Sequence, residues 1–128
     1  MNLQNDRKYT DSHEWLLDLG NGTYRIGLSD YAQSSLGDIV FVELPDAGAA
    51  FKQNAEMAVV ESVKAASDVY APVTGEVVEA NGSIVDDPAS VNADPEGAAW
   101  FVKMKLANPS ELDAMMDKAA YDAFVETL

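Results

Sequence analysis

Lys64 is the residue whose placement points most directly to chemistry. It is the only basic residue between Lys52 and Lys103, and it sits in Glu61-Ser62-Val63-Lys64-Ala65-Ala66-Ser67-Asp68, between two apolar, strand-like runs. The chain around it is strongly acidic, with a net charge of −14. A lone ε-amine at the tip of a hairpin, beside the small side chains of Ala65 and Ala66, is open to close approach by a modifying enzyme. Val63 and Val69 anchor the flanking strands. A turn on a rigid sheet holds the amine away from the body, as covalent attachment of a cofactor requires. The plain alternative is a solvated surface lysine at a polar turn.

Other groups offer less. There is no cysteine, hence no disulfide and no intrinsic thiol chemistry, and the single His13 excludes a multi-histidine metal site. His13 beside Trp15 has no paired nucleophile and no second histidine, so no catalytic triad can be assembled from it. It reads as structural, and no catalytic residue is assigned. Asn92-Ala93-Asp94-Pro95-Glu96-Gly97 imitates the start of a calcium loop, but its twelfth position is Lys103 instead of a bidentate Glu, and Pro95 stiffens it. It reads as a turn-rich surface loop. The excess of acids, 22 against 8 basic residues, argues against nucleic acid and anionic membranes and for partners with basic surface. The opening, Met1 to Lys8, lacks an apolar signal core, and no apolar run approaches the roughly 20 residues that span a bilayer. A cytoplasmic bacterial protein is the simplest inference, with a mature mitochondrial form as the alternative. Asn21-Gly22-Thr23 and Asn81-Gly82-Ser83 match the glycosylation pattern but read as Asn-Gly turns.

The elements that must position Lys64 are mostly short strands. Residues 8–19 look extended, and Gly20-Asn21-Gly22 turns the chain into an alternating strand from Thr23 to Leu28, a hairpin signature. Ser29 is a good cap for a short helix from Asp30 to Leu36, stopped by Gly37. Strands are expected over Asp38–Leu44, Glu56–Glu61, Asp68–Ala71, Glu76–Ala80 and Trp100–Leu106, with 62–67 a tight connection and 83–98 a loop. Ser110 with Asp113 approximates a capping box for a helical tail, striped by Leu112, Met115, Met116, Ala119, Ala120 and Phe124. Seven or so strands make a small sandwich or flattened barrel. The expected core is Ile39, Phe41, Val59, Val69, Val77, Phe101 and Met104, with Trp15, Trp100 and Phe124 sealing its edges. The 128 residues suit a single domain, its core about 23–106 and its tail about 109–127.

Val60 to Asp68, followed by Pro72-Val73-Thr74-Gly75-Glu76-Val77, resembles the lipoylation segment of the glycine cleavage system H protein family. The resemblance covers nearly the whole chain: Tyr9 with Ser12-His13-Glu14-Trp15, Gly27 with Ser29 to Gln33, Leu36-Gly37-Asp38 to Pro45, Val91-Asn92 with Asp94-Pro95 and Gly97, Trp100, Glu111-Leu112 and Tyr121. It implies a mainly β, barrel-sandwich hybrid of the lipoyl/biotinyl type, with a short internal helix and C-terminal helices. It implies lipoate in amide linkage on Lys64, read by attaching enzymes through Glu61, Val63 and Ala65. It implies a non-catalytic carrier, more useful to several enzymes as a monomer, loaded with an aminomethyl group by a pyridoxal-phosphate glycine decarboxylase. A folate-dependent aminomethyltransferase would then unload it, and a dihydrolipoamide dehydrogenase would reoxidise it. Ser12, Glu14 and Asp68 stand where the family cradles the loaded arm.

Other readings use the same lysine. A biotin carrier would place Met on both sides of it, where Val63 and Ala65 stand. Lipoyl domains of 2-oxo-acid dehydrogenase complexes are embedded in Pro/Ala linkers, which this chain lacks. A Schiff-base enzyme needs a desolvated lysine, which Glu61, Ser62, Ser67 and Asp68 oppose. An unmodified acidic interaction module and a relay of lipoate to other complexes remain as further alternatives.

Overall fold

The computed structural model describes residues 7–128. Met1–Asp6, read above as lacking an apolar signal core, lie outside the described residues. Among the described residues nine strands form two sheets, so the chain is mainly β and adopts a barrel-sandwich. One sheet has six strands: β1 (Arg7–Tyr9), β2 (Glu14–Gly20), β3 (Thr23–Leu28), β9 (Val102–Leu106), β8 (Gly75–Ala80) and β5 (Ala50–Phe51), in that spatial order. The other has three, β4 (Ile39–Glu43), β6 (Glu56–Ser62) and β7 (Ala66–Tyr70), with β6 in the middle. All pairings are antiparallel.

Local chemistry explains the turns. Asn21 and Gly22 between β2 and β3 take positive φ, 57° and 75°, the type I′ geometry that matches strand twist. Asn81-Gly82 differs from expectation. It opens a helical turn, α2 (Ser83–Asp86), and the Asn81 amide donates to the carbonyls of Ala98 and Trp100 at 3.0 and 2.8 Å. A second turn, α3 (Ser90–Ala93), follows, so 83–98 is largely ordered as helical turns. Helix α1 (Asp30–Leu36) begins as the sequence indicates: Ser29 Oγ accepts from the Ala32 amide at 3.2 Å.

The interior lies between the sheets. Ile39, Val69, Val77, Phe101 and Met104 are buried as expected. Phe41 is not: it is 43% exposed, and Val59 is only half-buried, while Val42 and Val60 point inward. Val59 faces away from its buried neighbours Ala58 and Val60; for Phe41 the reason is a bulge. Pairing passes from Ile39↔Ser62 to Phe41↔Glu61, so Val40 has no partner and the alternation slips by one residue. Trp15 is an interior residue instead of an edge seal. It forms a second buried cluster with Tyr9 and Tyr121, and its indole N–H donates to the Pro95 carbonyl at 3.0 Å. Gly27 permits this, since a Cβ there would lie 2.8 Å from the indole ring. Trp100 and Phe124 are half-buried at the margin of that cluster.

The tail also departs from a continuous helix. Pro109–Ala114 is a 3₁₀ turn capped by Asn108, not Ser110. Met116 pairs with Tyr9 as a β-bridge, and α4 (Lys118–Glu126) starts afresh with Asp117 accepting from the Ala120 amide. Ala119 and Ala120 are exposed, and the inward face is Tyr121, Phe124 and Val125. The backbone bonding of Met116 to Tyr9 breaks the expected helical stripe.

Candidate functional site

Lys64 stands exposed in the turn between β6 and β7. Ser62 builds that turn. Its hydroxyl accepts from the amides of Lys64 and Ala65, both at 3.2 Å, and donates to the Ala65 carbonyl at 3.1 Å. The Ser62 amide donates to the same carbonyl at 2.8 Å. Val63 N–H donates to the Asp38 carbonyl at 3.1 Å and pins the turn to the start of β4. The amine is therefore held on a support braced by hydrogen bonds within the turn and to β4. Glu61 and Ala65, expected to flank it in recognition, are exposed, as is Val63.

The lysine stem leans over the C-terminal end of α1. Its Cε passes 3.3 Å from the place a Cβ on Gly37 would occupy, and Nζ lies 3.5 Å from the Ser35 carbonyl. That carbonyl belongs to the last turn of the helix, where backbone acceptors lack helical partners and attract cations.

Ser35 also lines a groove of about 320 Å³ that opens beside the lysine. Leu28, Leu36, Val60 and Val69 give it an apolar floor, and Ser12, His13, Ser67 and Asp68 supply polar groups. Two of the three expected arm-cradling residues, Ser12 and Asp68, thus meet on one groove, from β7 and from the turn before β2. Both are exposed. Glu14 is placed differently. It is 2% exposed and does not line the groove; its carboxyl accepts from the Thr10 hydroxyl at 2.7 Å. Burial pushes its pKa up to about 7; Thr10 opposes that shift and Asp11 adds to it.

His13 takes a left-handed backbone, φ 72°, and its Nδ1 lies 2.8 Å from the Tyr121 hydroxyl. That hydroxyl is 2.7 Å from Ser29 Oγ, the cap of α1. Burial lowers the His13 pKa, and the same effect, first among its causes, pushes Tyr121 up to about 12. Tyr121 therefore ties the tail helix, one wall of the groove and the helix beneath Lys64 into one hydrogen-bonded chain. The residues' spacing gave no sign of this, because the contact spans 108 positions.

Asn92 and Glu96 were also missed. Asn92 accepts from the Ile39 amide and donates to the Gly37 carbonyl, both at 2.8 Å, and it also donates to Gln33. Glu96 accepts from the Tyr9 hydroxyl at 2.6 Å and from the Asp30 amide at 2.9 Å. The loop that imitates a calcium site is a strut holding both ends of α1. The Asn and Glu in it were legible as polar turn residues, but their partners were not.

A family model described as Glycine cleavage H-protein matches residues 7–128. The glycine cleavage system H protein of Caulobacter vibrioides is 56% identical over 121 residues, covering 94% of this chain and 99% of that relative. That of Bradyrhizobium diazoefficiens is 58% identical over 115 residues, covering 90% and 93%. The crystal structure of a glycine cleavage system H protein from Mycobacterium marinum superposes with a TM-score of 0.87 at 34% identity, covering 95% of this chain and 98% of that one. With the match running from the first described strand to the last residue, this chain belongs to the glycine cleavage H-protein family.

Proposed function

We propose that this chain is the lipoate-bearing carrier of a glycine cleavage system, with lipoate in amide linkage on Lys64. The observation that carries the reading is the exposed Lys64 amine on a braced β-turn, its Nζ against the carbonyl of Ser35, a residue that lines a groove with an apolar floor. Acylation joins Nζ to an activated lipoate carboxyl carbon; the leaving group takes the bonding electrons and Nζ loses a proton. Lipoate supplies the disulfide that accepts the aminomethyl group of glycine and is reoxidised after the group is passed on. The chain's own residues hold the attachment point and offer the arm a resting place; a pyridoxal-phosphate decarboxylase, a folate-dependent aminomethyltransferase and a flavin dehydrogenase do the chemistry.

The groove fits a loaded arm. Its floor suits an aliphatic chain, and Asp68 on its rim suits a protonated amine through charge-assisted hydrogen bonding, worth roughly 1.5–3 kcal/mol when shielded. The oxidised arm carries no cation and swings more freely. Two measurements test this. Native protein shows the lipoyl mass on the Lys64 peptide, and Lys64→Arg, which keeps the charge but does not become acylated, abolishes carrier activity in glycine decarboxylation; retained activity refutes the assignment. In the aminomethyl-loaded protein, Asp68→Asn raises arm mobility by NMR relaxation, and an equally immobile arm refutes the role of Asp68.

A further inference from the structure

The bulge in β4 turns two adjacent large apolar side chains outward. Val40 is 56% exposed and Phe41 43%, where regular alternation would bury one of them. Val85 of α2, 43% exposed, lines with Phe41 a groove of about 440 Å³ whose walls include Leu44 and Ala80. Acids surround this apolar centre. Glu43 and Asp46 line the groove, Glu61 pairs across from Phe41, and Asp86 and Asp87 follow Val85; all are exposed. Among the described residues, no lysine or arginine lines it. β4 is also an edge of its three-stranded sheet. An apolar centre with a single-sign charged rim, on an edge strand, has the layout of a protein-binding surface.

The face adjoins Lys64. Phe41 pairs with Glu61, which lies three residues before the lysine and next to the last residue of β6. The bond from Val63 N–H to the Asp38 carbonyl fastens the turn to the start of the same strand. An unmodified lysine reaches a catalytic centre on its own four-carbon stem alone. An enzyme that encloses its amine must therefore cover neighbouring surface, whereas enzymes acting on the far end of a lipoyl arm have a longer tether and need not.

We infer that the Val40–Phe41–Val85 face is the seat of the enzyme that acylates Lys64, and that this enzyme meets it with apolar side chains ringed by lysine or arginine. The inference rests on reading Lys64 as the acylation site. The test uses unmodified full-length chain, lipoate, ATP and a lipoate-attaching enzyme, with adduct formation followed by intact mass at varied carrier concentration. Phe41→Ser with Val85→Ser raises KM at least fivefold with kcat within twofold, while Leu19→Ser, an exposed apolar residue on β2, changes neither. Glu43→Gln with Asp46→Asn raises KM and flattens its dependence on salt, a readout independent of the apolar variants. A folded Phe41→Ser/Val85→Ser variant with unchanged KM overturns the docking surface and leaves the Lys64 reading intact. Failure of the wild-type chain to take up any lipoyl mass overturns both.

Discussion

At the scale of single residues, Glu14 is the group whose environment is most unlike its sequence appearance. A carboxyl beside Ser12 and His13 reads as a rim acid, yet it is enclosed, with its pKa raised from 4.5 to about 7. The folded state therefore holds the proton more tightly than the unfolded chain. Below about pH 4.5 both states are protonated and nothing is lost; between 4.5 and about 7 the folded state forgoes ionisation, and above that range the full penalty is present. A shift of this size corresponds to about 3 kcal/mol. Glu14→Gln is thus expected to gain stability relative to wild type as pH rises from 5 to 8, measured by urea melts at each pH. A constant difference between the two proteins across that range would show that Glu14 does not titrate this way. The arrangement also divides labour between the acids: Asp68, exposed on the groove, is available to a cation, while Glu14 bonds inward to Thr10.

At the scale of elements, the site depends on how tightly strands and turns are joined. β8 and β9 come so close at Gly75 that a Cβ there would lie 2.3 Å from the Lys105 carbonyl oxygen. That neighbour is backbone and cannot rotate away. Gly75→Ala is expected to cost at least 2 kcal/mol, since overpacking ordinarily costs about 1–3 and here a strand must shift. Equilibrium unfolding with an unchanged m-value measures it, and a loss under 0.5 kcal/mol would mean the ladder gives more readily than its geometry indicates. Ser62 acts on the β6–β7 hairpin. Its three side-chain bonds hold the turn that displays Lys64. The α1 cap, Ser29, is shared with Tyr121, so the helix beneath the lysine is tied to the C-terminal helix as well as to its own first turn.

At the scale of the whole molecule, charge governs encounter. The net charge is −14, and the acylation of Lys64 proposed above would take it to about −15, because one cation would be lost. Acids lie along the three-stranded sheet that carries the lysine: Asp38, Glu43, Glu61 and Asp68 are all exposed. Steered association of such a surface with basic partners weakens as ions screen it. Stopped-flow association with a partner enzyme is expected to slow by roughly tenfold between about 50 and 300 mM salt. A salt-independent rate would show that apolar contact, not charge, governs the encounter.

The linear chain by itself determined the β-rich class, the Ser29 cap, the Asn21-Gly22 turn and the display of Lys64, because each follows from neighbours a few positions apart. It could not locate the bulge at Val40, which moved Phe41 out of the core and Val42 into it, since a bulge is a property of pairing with β6 and not of β4 alone. Nor could it separate Glu14 from Asp68 or reveal the Tyr121–His13–Ser29 chain. Those depend on contacts between residues far apart in sequence, and only the packing of the two sheets and the tail helix brought them together and set which carboxyl keeps its water.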